Sequence, residues 1–90
     1  MRTKNAARIT KGESAHMLRV KESGCAVCGA GVGELVEAHH IEQGCHFTTV
    51  GLCVECHRGP MGIHGDKTMW RIHKMDELKA LNETLRRIYE

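Results

Sequence analysis

The first quarter of the chain changes from a polar leader to a helical pattern. Residues 1–12 are polar and basic and end at Gly12, which predicts a loosely ordered leader. Helix formers dominate from Glu13 to Glu22, so we predict a helix over this range. Its predicted inner face consists of Ala15, Leu18 and Met17. Gly24 is the expected helix stop, because glycine adopts the left-handed C′ conformation without steric penalty.

The middle of the chain carries a strand pattern and then a short helical one. Weak alternation over residues 34–41 predicts a first strand, and the β-branched and aromatic run over 46–50 predicts a second. The short connection between the two strands predicts a β-hairpin. Residues 52–58 indicate one or two helical turns, which Gly59 and Pro60 end.

The last part of the chain is amphipathic. Asp66 is the predicted N-cap of a helical segment that follows a loop over 61–65. Apolar residues in this segment recur at spacings of three and four, which is typical of one buried helix face. They are Met69, Ile72, Met75, Leu78, Leu81, Leu85 and Ile88. We expect a break in the helix near residues 74–76.

Composition indicates one small domain with a thin core. The chain has 90 residues, of which 3% are aromatic, yet it has five cysteines and seven histidines. A domain of this size buries only about 60% of the surface of the unfolded chain and is often marginal without a metal or another cross-link. Because cysteine clusters in cytosolic proteins are usually metal sites, we expect a fold stabilised by a metal.

The same sequence excludes several classes of protein. No apolar run approaches the roughly 18 residues that span a bilayer, and no secretory signal is visible after Met1. We therefore expect a cytoplasmic protein that has no disulfides and no membrane partner. The hydrophobic fraction of 41% is too high for a disordered tail.

The net charge of +2 is distributed unevenly. Residues 1–24 hold six basic and two acidic residues, a net charge of +4, whereas residues 25–65 have a net charge of −3. Residues 66–90 return to +1. The basic N-terminal segment is a candidate contact for a polyanion, and the alternative is a solvated terminus.

Two Cys-x-x-Cys pairs predict a structural zinc site. Cys25 and Cys28 precede the predicted hairpin, and Cys53 and Cys56 follow it. A pair spaced by two residues can bind one ion with both thiolates, and the hairpin returns the second pair to the first. His57 is an alternative fourth ligand, because it lies on the same predicted helix face as Cys53. A redox motif is less consistent with the pattern, since it usually starts a helix in a βαβ unit.

Histidines are concentrated after the first cysteine pair. Five of the seven lie within 26 residues, and these are His39, His40, His46, His57 and His64. A divalent metal and a neutral imidazole suit phosphodiester hydrolysis, because the imidazole takes a proton from water and the metal neutralises the leaving oxygen. The alternative is a second structural zinc site, built from His39, His57 and either His64 or His46.

The first two of these histidines, His39 and His40, are adjacent in the sequence, which limits how both can serve one site. Neighbouring residues on a flat strand face opposite sides, so His39 and His40 line one cleft only if the strand ends or bulges there. If the strand continues, one of the two is structural. Cys45 lies in the predicted turn and is expected to be a small apolar residue or a free thiol. His16 and His73 lie on predicted helices and are expected to be solvated or to pack.

The order of these motifs resembles that of HNH endonucleases of the ββα-metal class. The resemblance is carried by Cys25-x-x-Cys28, Glu37-Ala-His39-His40-Ile41 and Leu52-Cys53-x-x-Cys56-His57. The run over 52–65, followed by a helix with a tryptophan, is similar to the phage recombination-enhancement (Ref-like) RecA-dependent nucleases. The resemblance implies an α+β fold in which a zinc-stabilised ββα-metal core lies between an N-terminal helix and a C-terminal amphipathic helix. It implies one nuclease domain over residues 13–90.

The resemblance also implies roles for individual residues. His40 matches the general base that activates water, and His39 matches the metal ligand before it. His57 matches the closing ligand on the helix, and His64 matches a further ligand or a phosphate contact. Cys25, Cys28, Cys53 and Cys56 match the structural zinc site. The second divalent metal is expected to be magnesium, manganese or zinc.

One residue of the HNH pattern is missing from this chain. The middle Asn, which orients the base, would fall near Thr48, and no Asn lies between Asn5 and Asn82. Thr48, His46 or a backbone carbonyl is expected to orient His40 instead.

The implied partners are DNA and a RecA-type recombinase filament, in a bacterial host or a prophage. The expected DNA contacts are Arg8, Lys11, Arg58 and Lys67. Larger Ref-like members carry a long basic extension, whereas this chain has a short basic leader, so we expect weak DNA binding and recruitment by a partner. The competing interpretations are a non-catalytic zinc module that binds nucleic acid or protein, and a zinc-stabilised domain that docks through its C-terminal helix.

Overall fold

The computed structural model describes residues 8–31 and 35–90, and residues 1–7 of the predicted leader and 32–34 lie outside that part. Within it, the chain forms four helices and a two-stranded antiparallel sheet. The fold is therefore α+β, as the sequence predicts. In chain order the elements are α1 (Lys11–Glu22), β1 (Glu37–His40), β2 (Thr49–Leu52), α2 (Val54–His57), α3 (Thr68–Ile72) and α4 (Glu77–Tyr89).

Helix α1 begins two residues earlier than the predicted start. Thr10 is the N-cap, and its hydroxyl accepts a hydrogen bond from the backbone N–H of Glu13 at 3.1 Å. The Glu13 carboxylate in turn accepts from the backbone N–H of Thr10 at 2.9 Å, which completes a capping box. Lys11 and Gly12 therefore belong to the helix rather than to a loose leader. The helix ends before Gly24, whose φ of 84° matches the predicted stop.

The buried face of α1 differs from the prediction. Ala15 and Leu18 are exposed, and the residues that point inward are Glu13, His16 and Val20. Glu13 is buried while its carboxylate is engaged in the capping box, and Val20 of the same helix is fully buried. The inward face therefore combines polar residues with one apolar residue.

The hairpin is confirmed, but both strands are shorter or later than predicted. The first strand covers residues 37–40 of the predicted range 34–41, whose first residue lies outside the described part of the chain, and the second covers 49–52 instead of 46–50. Residues 41–48, between the two strands, form turns. In one of them the backbone N–H of Cys45 donates to the Glu42 carbonyl at 3.1 Å. In the antiparallel register His39 lies opposite Val50 and His40 lies opposite Thr49.

The C-terminal segment is broken, as predicted, into α3 and α4. Asp76 is the N-cap of α4, and its side chain accepts from the backbone N–H of Lys79 at 2.8 Å. The predicted N-cap of the segment, Asp66, is wrong by one residue, because Lys67 occupies that position. The Asp66 carboxylate nevertheless accepts from the backbone N–H of Thr68 at 2.9 Å, so it still satisfies the first turn.

The core lies between the sheet, the cysteine-bearing segments and the last two helices. Its buried members are Cys25, Ala26, Val27, Val50, Leu52, Cys56, Trp70 and Ala80. Helix α4 contacts β2 through the small buried residues Ala80 and Thr84, whereas Leu78 is 75% exposed. The leucines of α4 therefore form its buried face only in part. Across the described residues, no helix has the length and apolar content to cross a membrane.

Glycine permits the closest approach in the core. A Cβ added to Gly51 would lie 2.5 Å from the carbonyl oxygen of Gly24 and 2.8 Å from that of Val20. The same residue accepts from the backbone N–H of Ala26 at 2.8 Å, and its own N–H donates to the Thr84 hydroxyl at 3.3 Å. The end of α1, the first cysteine turn and α4 therefore all meet β2 at Gly51.

Candidate functional site

The four cysteines of the two Cys-x-x-Cys pairs lie together. Their Sγ atoms are all within 4.8 Å of one another, and the distance between those of Cys28 and Cys53 is 3.7 Å. Four thiolates at about 2.3 Å from one zinc ion are separated by roughly 3.8 Å in a tetrahedron, so this group can hold zinc. Cys56 completes the group, and His57 lies in a different cluster.

Backbone geometry directs the first pair of thiols. Gly24 and Gly29 have φ of 84° and 80°, a conformation that favours glycine, and they lie on either side of the pair. The N–H of Cys25 donates to the Ala30 carbonyl at 2.8 Å, which closes the turn. From α4, Nη1 of Arg87 donates to the carbonyls of Ser23 and Cys25, each at 3.1 Å, so the last helix fastens this turn.

The thiols differ in how readily they ionise. Burial acts to raise the pKa of Cys25, but backbone N–H groups of Cys28, Cys53 and Val27 donate to it, and the net effect is a lowered pKa. Burial, followed by the negative charge of Cys25, raises the pKa of Cys56. One thiolate therefore opposes the ionisation of its neighbours. A divalent cation bound among them would offset this repulsion and stabilise four thiolates together.

A second cluster consists of three histidines. His39 lies on β1, His57 ends α2 and His64 lies in the following loop, and one ring nitrogen of each is within 4.8 Å of the others. The ring centroids are 4.9 to 5.1 Å apart. His39 is only 5% exposed, whereas His64 is exposed, so the cluster extends from the interior to the surface. Of the two sets considered for a second metal, the structure assembles the one with His64.

The loop after α2 brings His64 into the cluster. The backbone N–H of His64 donates to the His57 carbonyl at 3.0 Å, and that of Ile63 donates to the Cys56 carbonyl at 2.9 Å. A Cβ on Gly62 would lie 2.7 Å from the carbonyl oxygens of Glu55 and His57. Because only glycine fits there, the chain can fold back onto the end of α2 and place His64 beside His57.

Two carboxylates orient histidines of this cluster. Oε2 of Glu77 lies 2.7 Å from Nε2 of His39, and Oε1 of Glu37 lies 2.8 Å from Nδ1 of His57. Each contact engages one ring nitrogen, and a carboxylate partner of this kind typically supports histidines that bind metal through the other nitrogen. Hydrogen bonds first from Arg58 and then from His57 lower the pKa of Glu37, so this carboxyl is held ionised.

The predicted general base faces a different partner. Nε2 of His40 lies 2.9 Å from Nδ1 of His46, with the rings edge to face at 5.0 Å. The hydroxyl of Thr48 donates instead to the carbonyl of Cys45 at 3.1 Å. Of the side chains considered as orienting groups, His46 is therefore the one in contact with His40. Burial, followed by the positive charges of His46 and His39, lowers the pKa of His40 and favours its neutral form.

Strand geometry explains the separate surroundings of the two adjacent histidines. Side chains alternate along a strand, so Glu37 and His39 share one face while His40 points to the other. The strand ends at His40, and the N–H of Ile41 donates to the Thr48 carbonyl at 3.2 Å as the chain turns away. The pair therefore lies at the end of a strand, as expected, with each histidine in its own set of contacts.

The four predicted DNA contacts lie on separate elements. Arg8 precedes α1, Lys11 is in its first turn and Lys67 precedes α3, and all three are exposed. Arg58 differs, because its Nε and Nη2 atoms donate to Glu37 at 2.7 to 3.1 Å. Arg58 therefore supports the carboxylate behind His57. Lys21, which sequence reasoning did not select, lines a groove of about 440 Å³ together with Arg58.

Other contacts of this region were not predicted from the sequence. Glu77 lies 38 residues from His39, and no local pattern joins them. His16 is 8% exposed and packs 5.3 Å from the Phe47 ring, with its Nε2 unpaired among the described residues. Cys45 is exposed, and its thiol donates to the Glu42 carboxylate at 3.4 Å. Glu37 had a local signal, since it precedes His39 by two residues on one strand face.

Comparison with known proteins found no matching family model, no similar curated protein and no similar solved structure.

Proposed function

We propose that this protein is a metal-dependent DNA endonuclease of the HNH type, which hydrolyses phosphodiester bonds. The observation that carries the proposal is the convergence of His39, His57 and His64 from a strand, a helix and a loop, with ring nitrogens within 4.8 Å. A fourth histidine, His40, directly follows the first on β1.

The order of elements supports this function. An antiparallel hairpin is followed at once by a short helix, and the histidines lie at the end of the first strand and at the end of that helix. This is the arrangement that the resemblance to the ββα-metal class implies for a zinc-stabilised HNH core. The sequence motifs and the three-dimensional arrangement therefore favour the same class of enzyme.

The two clusters are suited to different metals and roles. The four cysteines suit zinc in a structural site, because thiolates are soft ligands and all four positions are filled. The three histidines leave a fourth position open in a tetrahedral site, which is typical of catalytic sites. We propose magnesium, manganese or zinc there. When bound, such an ion supplies charge neutralisation at the scissile phosphate and the leaving oxygen.

Side chains of the protein would supply the remaining chemistry. His40 would take a proton from the attacking water, and its depressed pKa keeps it neutral and able to do so near neutral pH. Glu77 and Glu37 would hold His39 and His57 in orientation through contacts of 2.7 and 2.8 Å. The proposed base and one proposed metal ligand, His39, thus occupy neighbouring positions on β1, whereas His57 and His64 come from α2 and the loop after it.

The small net charge of the protein is consistent with weak DNA binding and with recruitment to DNA by a partner. The net charge is only +2, and Arg58 is paired with Glu37. Arg8, Lys11 and Lys67 remain the proposed phosphate contacts, with Lys21 beside the histidine cluster as an addition. We propose that the DNA is presented on a RecA-type filament, in phage-associated recombination, as the resemblance to Ref-like nucleases implies.

A cleavage assay tests the proposal. Plasmid and single-stranded DNA would be incubated with the protein across magnesium, manganese and zinc, with and without a recombinase filament. We expect metal-dependent cleavage that His40→Ala abolishes without loss of zinc or of helical content. His73→Ala is the matched control, because His73 is exposed and follows the end of α3. Cleavage by His40→Ala at the wild-type rate would refute the role of His40.

A non-catalytic zinc module is the second candidate. It is favoured by an apolar groove of about 480 Å³ on α4, which is lined by the exposed Leu78 and the half-buried Leu81 and Leu85. Such a module would fill every ligand position of both metals with protein atoms. Counting the protein ligands on each metal in a zinc-loaded crystal separates the two functions, and we expect four ligands at the cysteines and three at the histidines.

A further inference from the structure

His46 is the half-buried residue that contacts the proposed base. Its Nδ1 lies 2.9 Å from Nε2 of His40, and the two rings meet edge to face at 81°. A contact of this length between two ring nitrogens is a hydrogen bond with one shared proton. Its direction therefore determines which nitrogen of His40 carries hydrogen.

The loop that carries His46 is fixed by short turns. The hydroxyl of Thr49, a fully buried residue of β2, donates to the His46 carbonyl at 3.1 Å. On the other side, the backbone N–H and the hydroxyl of Thr48 both donate to the Cys45 carbonyl. These bonds anchor the loop to the second strand, so the imidazole of His46 is presented to His40 by a structured turn.

Only one direction of the shared proton is compatible with base catalysis. If Nε2 of His40 donates, Nδ1 of the same ring has a lone pair and can accept a proton from water. If Nδ1 of His46 donates instead, a neutral His40 carries its hydrogen on Nδ1 and cannot act there as a base. Histidine function generally depends on a second group that selects the tautomer in this way.

We propose that His46 is a positioning residue that accepts the Nε2–H of His40 and thereby leaves Nδ1 of His40 as the basic nitrogen. The catalytic consequence rests on the proposed nuclease function, whereas the tautomer itself does not. Thr48 acts one step further away, since its hydroxyl supports the turn rather than the base.

Two substitutions of His46 distinguish its role as a hydrogen-bond acceptor for His40 from a role in packing alone. His46→Asn places an amide oxygen near the position of Nδ1, so it keeps an acceptor for His40. His46→Leu keeps much of the volume and removes the acceptor. His73→Leu is the control, because it makes the same change at an exposed histidine. Zinc content and circular dichroism of each full-length variant show whether it is folded.

The first readout is the tautomer of His40. Nitrogen-15 NMR of the zinc-loaded protein, at mildly alkaline pH, distinguishes Nε2–H from Nδ1–H through the shifts of the two ring nitrogens. We expect Nε2–H in the wild type and in His46→Asn, and a mixture of tautomers in His46→Leu. A wild-type His40 that carries hydrogen on Nδ1 would overturn the proposal, as would an unchanged tautomer in His46→Leu.

The second readout is the split between kcat and KM in DNA cleavage. We expect His46→Leu to lower kcat by about 10- to 100-fold with KM little changed, and His46→Asn to retain most of the wild-type rate. A His46→Leu variant with wild-type kcat contradicts the proposal. If the wild type cleaves no DNA, the nuclease function fails, and the NMR result still decides whether His46 selects the tautomer.

Discussion

Gly51 occupies a position in the core that has no room for a side chain. An added Cβ would meet the carbonyl oxygens of Gly24 and Val20 at 2.5 and 2.8 Å, and neither oxygen belongs to a flexible side chain. We therefore expect Gly51→Ala to lower the free energy of unfolding by about 1–3 kcal/mol, the usual cost of overpacking. Denaturant unfolding of the zinc-loaded protein measures this change.

Gly12→Ala is the matched control for that substitution. A Cβ at Gly12 would meet no atom within 4 Å, and the residue lies in the first turn of α1. We expect a neutral or slightly stabilising effect, because alanine favours a helix by up to about 1 kcal/mol over glycine. If both variants lost the same stability, steric contact at Gly51 would not be the cause.

Glu37 illustrates how one carboxylate serves two neighbours. It accepts from Arg58 and contacts Nδ1 of His57 at 2.8 Å. We expect Glu37→Gln to weaken metal binding at the histidine cluster by about 10- to 100-fold, because loss of a supporting partner has this typical effect. Competition titration of the second metal equivalent measures the affinity.

The control for the Glu37 substitution is a glutamate on α2. Glu55→Gln removes a carboxylate from an exposed position on α2, and we expect no change in either metal affinity. Equal affinities for Glu37→Gln and the wild type would show that the carboxylate does not support His57.

Residue types and short spacings predicted some of the site from the sequence. The cysteine group followed from two pairs spaced by two residues, since each pair can chelate through local geometry and the predicted hairpin returns the second pair to the first. Glu77 was not predictable, because its contact with His39 depends on how α4 packs. The partner of His40 remained undecided between Thr48 and His46, since a turn of several residues can present either side chain.

At the scale of elements, helix α4 packs through small residues. Ala80 and Thr84 are fully buried against the core, whereas Leu78 is 75% exposed. We expect Ala80→Leu to destabilise the fold by about 1–3 kcal/mol through overpacking. Leu78→Ala should change stability by no more than about 0.5 kcal/mol, as is usual for surface positions. Chemical denaturation of both variants gives the comparison, and a larger loss for Leu78→Ala would place the packing face elsewhere.

Elements were predictable where local signals dominated. The break between α3 and α4 and the stop at Gly24 followed from capping residues and spacing. The inner face of α1 was not, because apolar spacing favoured Leu18, whereas two of the three buried residues, Glu13 and His16, are polar. The strands were shifted because hydrogen-bonded turns occupy the connection, and β-branched residues do not mark where a turn ends.

At the scale of the whole molecule, the cysteine cluster is part of the core. Cys25 and Cys56 are fully buried beside Val50 and Leu52, so two cysteines of the cluster belong to the same core as the apolar residues. We expect a strong chelator to unfold the protein cooperatively, because the free energy of zinc binding is folding free energy in such domains. Circular dichroism during a titration with chelator measures the transition.

Metal stoichiometry separates the two clusters in the same experiment. We expect the first zinc equivalent to restore the fold and a second to bind without further change in helical content. His57→Ala should lower the bound metal by one equivalent in native mass spectrometry and remain folded, whereas Cys25→Ser should fail to fold. A Cys25→Ser variant that is folded and carries no zinc would show that the core is sufficient without the metal.

The position of Trp70 gives the protein an optical signal of its own. It is the only tryptophan in the chain, it is 3% exposed, and its indole N–H donates to the carbonyl of Cys56 at 2.8 Å. The single indole is thus hydrogen-bonded to a cysteine of the cluster. We expect its fluorescence to report the state of that cluster in real time and without a label, because opening of the cluster would expose the indole to water.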